Sequence, residues 1–401
     1  MPWKGVTIMD QRVRFISEYL DGYFSIAELC RQFNVSRKTG YKWIGRYEDY
    51  GSRGLEERSS KPHSCPHKTH FRVVRVIKMA RKKHPTWGPK KLLDLLYKRH
   101  PDWEYPAIST TADILKREGL IGGKKRRIRR SHPGCPKSDA TEVNQIWTAD
   151  YKGQFKMRNG KYCYPLTVCD MYSRYLLDCD GHKKISLDKT KECFTRLFKE
   201  HGLPERIRTD NGVPFASNAI GRISSLSVWW IKLGIYPELI EPGKPQQNGK
   251  HERMHRTLKK EATIPPEKNL KMQQRRFNKF KKEYNTLRPH EALDMKRPSE
   301  VYSNSKRKMP RKLKHWDYPS HYNMRRVSNS GNFRWNTYQV PLSHTLAQEY
   351  IGFEEIDDGI YNVYYCDFLI GRFFEEIHRM KDVIKRLPMR QRIVKESYPG
   401  T

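Results

Sequence analysis

Three carboxylates in this chain of 401 residues stand out, two at the ends of strand-like runs and one on a helix-like stretch. Asp150 closes an apolar run that contains Ile146 and Trp147. Asp210 follows Ile207 and precedes Asn211-Gly212, where the glycine lets the backbone turn away and leaves the carboxylate at an edge. Glu252 sits on a polar, basic stretch after Asn248-Gly249. Carboxylate oxygens suit hard cations such as Mg²⁺, and two such ions about 3.5–4 Å apart clamp the attacking and leaving oxygens of a phosphodiester. Arg256 and Lys259, at i+4 and i+7 from Glu252, share its helical face and suit a DNA phosphate. Sixty positions separate the two aspartates, and forty-two separate Asp210 from Glu252. Taken singly, each has a plainer reading: Asp210-Asn211-Gly212 as a turn, Glu252 as an ion-pair partner of Arg256. Asp170, Asp178 and Asp180 are rival carboxylates on neighbouring runs.

The charge balance points to the same chemistry. The chain has 79 Lys+Arg against 44 Asp+Glu, a formal net charge of +35, so a polyanion is the expected partner and nucleic acid the first candidate. Apolar residues are only 36%, yet 23 Tyr, 15 Phe and 9 Trp argue for folded modules rather than a disordered polycation. No run approaches the ~18–20 apolar residues of a membrane span, and the N-terminus has no apolar signal core. The eight cysteines form no CxxC pair, which suits reduced thiols in a cytoplasmic compartment. His63, Cys65 and His67 in HSCPH are proline-broken and three ligands strong, and read as linker rather than zinc site.

The elements that must position these residues fall into blocks. Residues 1–61 hold a helix-turn-helix pattern: Ser25 caps one short helix and Ser36 a second, with Arg37, Lys38, Thr39 and Lys42 facing DNA and Tyr41, Trp43 and Ile44 available to pack. Residues 62–122 hold a second helical DNA-binding module, with Pro89 at one helix start, Ser109 capping another, and Thr110, Thr111 and Lys116 as DNA-facing candidates. A basic linker, 123–141, carries Lys124, Lys125, Arg126, Arg127, Arg129 and Arg130; charges this dense stay extended until they meet phosphate. Residues 142–303 begin with three strand-like runs and continue with alternating helices and strands, a mixed α/β domain in which NAIGRISSLSVWWIKLGI reads as one apolar helix. A second basic linker, 304–321, leads to 322–377, whose alternating runs around Asp358-Gly359 fit a small β-barrel, and 378–401 is a basic tail.

The segments WTADYKG around Asp150, RTDNGVPF around Asp210 and KPQQNGKHERMHRTLKKE around Glu252 resemble the catalytic core of DDE transposases and retroviral integrases. YNTLRPHEAL and RPSEVY, within 284–302, are similar to bacterial insertion-sequence transposases, as are VSRKTGYKW and HPTWGPKKL in the first two blocks. The resemblance covers nearly the whole chain. It implies a multidomain protein: all-α helix-turn-helix modules, an α/β RNase H-like core and a C-terminal small β-barrel. It implies that Asp150, Asp210 and Glu252 hold two Mg²⁺ ions, with Mn²⁺ able to substitute, and that Asn248, Arg256 and Lys259 contact the element's end. Two departures stand out. The interval of forty-two is longer than the familiar one, which places extra length near 217–234 or the following turn, and the viral His/Cys zinc module is absent.

The implied activity is two-metal phosphoryl transfer: water cuts at the element's 3′ end, and the freed 3′-OH then attacks target DNA. The implied partner is double-stranded DNA, both terminal repeats and target, bound by a homodimer or larger synaptic assembly in a bacterial cytoplasm on the nucleoid. The alternatives are a silent DNA-binding protein derived from a transposase, and an RNase H-like nuclease without strand transfer.

Overall fold

The computed structural model describes residues 7–59, 68–121, 138–241, 244–313 and 315–382. The chain divides into two compact units, Met1–Lys68 and Thr69–Thr401, and each is described by itself. The basic run at 124–130, the HSCPH segment and residues 383–401 lie outside the described residues.

The first unit is three helices: α1 (Ile8–Asp21), α2 (Ile26–Gln32) and α3 (Arg37–Tyr50). Ser25 and Glu28 form a capping box at the start of α2, and the Ser36 hydroxyl accepts from the Thr39 N–H at the start of α3. Phe15, Ile16, Leu29, Cys30, Trp43 and Ile44 make the core. Tyr41, expected to pack, is exposed instead. Gly40 is where α3 meets α2, since a Cβ there would lie 2.5 Å from the Cys30 Sγ.

The second unit opens with α4 (Phe71–Lys83), α5 (Pro89–Arg99) and α6 (Ile108–Arg117) around Ile77, Leu92, Leu96, Ile114 and Leu115. Helix α6 starts from Ala107 rather than from a Ser109 cap, and Thr111 is fully buried with its hydroxyl donating to the Ala107 carbonyl at 3.0 Å, so it faces no DNA. This bundle packs on the α/β core rather than hanging from a linker. Arg297 donates to Asp94 at 2.5 Å, Lys98 pairs with Glu300 at 3.2 Å, and the Arg288 guanidinium lies 5.7 Å from the Trp87 ring.

The α/β core has one six-stranded sheet. Its strands are β1 (Ile146–Tyr151), β2 (Phe155–Lys156), β3 (Tyr162–Asp170), β4 (Leu176–His182), β5 (Arg206–Thr209) and β6 (Tyr236–Leu239). Strand β3 runs antiparallel to β1, β2 and β4, while β1–β5 and β5–β6 are parallel. Helices α7 (Leu187–His201) and α8 (Ser225–Lys232) cover one face through Phe194, Phe198 and Trp230 against Trp147, Val168 and Ile207. Helices α9 (Gly249–Leu258) and α10 (Leu270–Thr286) cover the other through Met254, Leu258, Phe277 and Tyr284 against Cys163, Cys169 and Cys179. The expected long helix over 217–234 is only α8: Gly221 at φ +66° breaks it, and Ser224 caps the shorter helix.

The C-terminal strands are β7 (Asn323–Arg326), β8 (Asn332–Trp335), β9 (Tyr338–Pro341), β10 (Tyr350–Asp357), β11 (Ile360–Tyr365), β12 (Phe368–Phe374) and β13 (Arg379–Asp382). They form an open five-stranded antiparallel sheet, β13-β12-β11-β10-β7, and a β8–β9 hairpin. This corrects the expected barrel: among the described residues no strand pairing closes the sheet on itself. The reason lies in what covers it. The hairpin supplies Phe333, Trp335 and Val340 to the core, and the α/β core supplies Ile223, Val228 and Ile231, so an apolar face that a closed barrel would bury internally is buried against α8. Lys232 and Glu349, 2.5 Å apart, add a half-exposed ion pair at that seam.

Candidate active site

Strand register brings the two aspartates together. Ala149 pairs with Thr209 in the parallel β1–β5 ladder, so Asp150 and Asp210 are the next residues at adjacent strand ends. Side chains alternate along a strand. Trp147, Ala149 and Ile207 therefore face α7 and α8, whereas Thr148, Asp150 and Arg208 face the α9 side. Asp210 accepts from the Gly212 N–H at 3.1 Å, and a Cβ on Gly212 would lie only 3.1 Å from the carboxylate. Asn211 donates to the Ile240 carbonyl at 2.8 Å and accepts from Arg222 at 3.0 Å, which pins the turn.

Burial, and then the charges of Asp210 and Glu252, push the Asp150 carboxyl up to about 7. Carboxylates at adjacent strand ends, one of them held reluctant to ionise, suit a hard divalent cation. Glu252 is exposed in the first turn of α9, Arg256 is exposed further along it, and Lys259 is exposed in the helical turn that follows its last residue.

The tightest group around Asp150 was not anticipated. One potential ligand atom each from Asp150, His251 and His255 lie within 4.8 Å of one another. The i, i+4 histidines form the sheet-facing side of α9 and are buried. The Thr148 hydroxyl is 2.7 Å from His251 Nδ1, and Thr167 Oγ1 is 2.7 Å from both His251 Nε2 and His255 Nε2. His255 Nδ1 is 3.5 Å from Asp150 Oδ2. Burial lowers His251 to about 3; burial, helped by His251 and Lys152, lowers His255 to about 2, so both are neutral and the contact to Asp150 is no salt bridge. The Thr167 hydroxyl also donates to the Asp150 carbonyl at 3.1 Å and the Thr148 hydroxyl to the Cys169 carbonyl at 3.3 Å, so the two imidazoles and two hydroxyls form one buried network at the Asp150 strand end. The spacing HxxxH within HERMH was the available signal.

A second unforeseen device fixes the start of α9. Arg208 is buried, pairs with Glu238 on β6 at 2.9 Å, and donates to the Gln247 carbonyl at 3.2 Å and the Ser138 carbonyl at 2.7 Å.

The rival carboxylates serve other ends. Asp170 is buried and accepts from Ser173 and Asn144. Asp178 lies 2.5 Å from Arg196 and accepts from Cys193 at 2.9 Å, and Asp180 is 3.3 Å from His182 Nε2. The six described cysteines are free and buried. Arg37, Lys38, Lys42, Thr110 and Lys116 are exposed. Thr39 is half-buried, with its hydroxyl 2.9 Å from Ser36 Oγ. Asn248 is a correction: it is buried, with an Oδ1 that has no partner among the described residues, so it is no surface DNA contact. No helix among the described residues is long and apolar enough to cross a membrane.

The sequence matches the integrase core domain family over residues 140–245 and again over 233–298. It matches a helix-turn-helix domain over 11–63 and a homeodomain-like domain over 39–115. An uncharacterized protein of insertion element IS407 from Burkholderia multivorans is 24% identical over 291 residues, 69% of this chain and 93% of that protein. The transposase of insertion sequence element IS904 from Lactococcus lactis is 24% identical over 243 residues, 58% of this chain and 88% of that protein. The magnesium complex of the HTLV-2 integrase catalytic core is 19% identical over 40% of this chain and 97% of that one, with a TM-score of 0.33. The six-stranded sheet and its helices lie within the integrase core domain matches and the N-terminal helices within the helix-turn-helix and homeodomain-like matches, so this chain carries integrase core and helix-turn-helix domains and is similar to insertion-element transposases.

Proposed function

We propose that the chain is a transposase that binds the terminal repeats of a mobile DNA element, cuts at its 3′ ends and joins them to target DNA. The observation that carries this is the convergence of Asp150 and Asp210 at adjacent strand ends, with Glu252 close enough for its charge to raise Asp150. Two divalent cations, Mg²⁺ or Mn²⁺ in its place, would activate the attacking oxygen and neutralise the leaving one. Asp150, Asp210 and Glu252 would hold them. His255, with Nδ1 3.5 Å from Asp150 Oδ2, would support and orient that carboxylate, as groups packed behind a ligating side chain do. Arg256 and Lys259 anchor phosphates of the element's end beside Glu252. The helices α3 and α6 offer Arg37, Lys38, Lys42, Thr110 and Lys116 for reading that end, and Lys124–Arg130 track the phosphates between modules. Cutting and joining are both in-line displacements at phosphorus, so one site serves both. An element has two ends, and joining both in one event needs two such sites, so the working form is a homodimer or larger assembly on DNA.

The test is cleavage of a duplex carrying the element's own terminus. With Mg²⁺ present, Asp210→Asn lowers cleavage about a hundredfold or more while binding of the duplex stays within about twofold. Unchanged cleavage in Asp210→Asn removes Asp210 from the site. Tight end binding with no cleavage by either protein favours a silent DNA-binding protein.

A further inference from the structure

Helix α10 carries a row of cations that the proposed reaction does not use. Lys271, Arg275, Lys279 and Lys282 are all exposed, at intervals of four, four and three residues, which stacks them along one side of the helix. At ~1.5 Å per residue the row extends about 16 Å. None of the four pairs with a carboxylate among the described residues. The acids that precede the row are engaged elsewhere: Glu267 with Arg276 at 3.3 Å, and Glu261 with Arg288 at 2.7 Å. Glu283, half-buried, lines one hollow with Arg275 and Lys279 and makes no ion pair with either, so the row keeps a net positive charge of three with it counted. An unpaired row of this kind costs self-repulsion and does nothing for the packing of α10, which rests on Phe277, Phe280 and Tyr284 on the opposite side.

We infer that this row is a docking surface for duplex DNA, and specifically for the target duplex. The geometry of the helix decides between the two DNAs. Gln274 donates to the Cys179 carbonyl at 2.9 Å and accepts from the Gly181 N–H at 2.7 Å, and Asn285 holds both backbone groups of Leu176, so α10 lies fixed along β4. Its exposed side is dominated by these cations, whose contacts to phosphates carry no sequence information. The duplex bound without regard to sequence is the target, whereas the element's end is read by the helix-turn-helix modules. The assignment of that role rests on the proposed strand-transfer function; the docking of duplex does not.

The experiment uses the full chain. One variant neutralises the row (Lys271→Gln, Arg275→Gln, Lys279→Gln and Lys282→Gln). A matched control neutralises four other exposed lysines of the same unit (Lys183→Gln, Lys184→Gln, Lys199→Gln and Lys308→Gln). Binding to a random-sequence duplex is titrated against salt. The row variant loses about 3–4 units of the log K against log[salt] slope, at ~0.9 per phosphate contact, and the control loses less than about one. Joining of pre-cut ends to a plasmid falls about tenfold or more in the row variant, with end cleavage unchanged within about twofold. Equal slope losses in the two variants overturn the docking surface. Cleavage that falls in step with joining overturns the choice of target and gives the row to the element's end. If the wild type neither cuts nor joins, the proposed function fails, and the slope comparison still decides whether α10 binds duplex.

Discussion

Asp150 is poised by its neighbours. Its carboxyl, raised to about 7 by burial and by Asp210 and Glu252, must lose its proton before it can hold a cation. Affinity for Mn²⁺, read from the electron paramagnetic resonance of the free ion, therefore falls as pH drops through 7 and approaches about tenfold per unit below it. His255→Ala removes the group that orients the carboxylate and weakens Mn²⁺ binding at pH 8 by about 10–100-fold. His255→Asn, which keeps an N–H donor, recovers most of the loss. Equal affinities in all three proteins, or an affinity flat between pH 6 and 8, would show that neither the histidine nor the shared charge shapes the site. The adjacent strand-end placement of Asp150 and Asp210 and the helical placement of Glu252 were legible because turn residues mark these positions in the sequence. The histidines were not, because HERMH reads as a polar helix until the sheet beneath it is known. Asn248 misled for a related reason: a polar residue beside a basic helix looks exposed, and only the packing of the preceding turn shows that it is buried.

Among the elements, α9 is the one whose placement matters most, and it is held at both ends of its sheet-facing side. The histidines fasten it to β1 and β3, and Arg208 fastens the turn before it to β5 and β6. Arg208→Met leaves the Glu238 carboxylate buried without a counter-charge, at a cost of about 3–5 kcal/mol in urea denaturation. Arg208→Met combined with Glu238→Leu recovers most of that stability. A single variant as stable as the wild type would show that the pair holds nothing. Strand alternation and helical periodicity carried the α/β order of the core into view from sequence. The end of the sheet and the length of α8 were hidden, since Ile223, Val228 and Ile231 look like the core of a long helix and in fact face the C-terminal sheet.

At the scale of the whole molecule, the proposed function distributes the excess of cations over modules with separate tasks: α3 and α6 for the element's end and α10 for the target, with the strand-end carboxylates for chemistry. The C-terminal sheet and the second helical bundle belong to one compact unit with the core, so what composition suggests as beads on basic linkers is a more connected body. The central claim is that this body transfers strands. The most direct measurement is joining of the element's own terminal duplexes to a plasmid with Mg²⁺, for the wild type beside Asp210→Asn. The account predicts joined products from the wild type alone, with both ends inserted together. Joined products of equal yield from Asp210→Asn, or cut ends from the wild type that never join a second DNA, would contradict it.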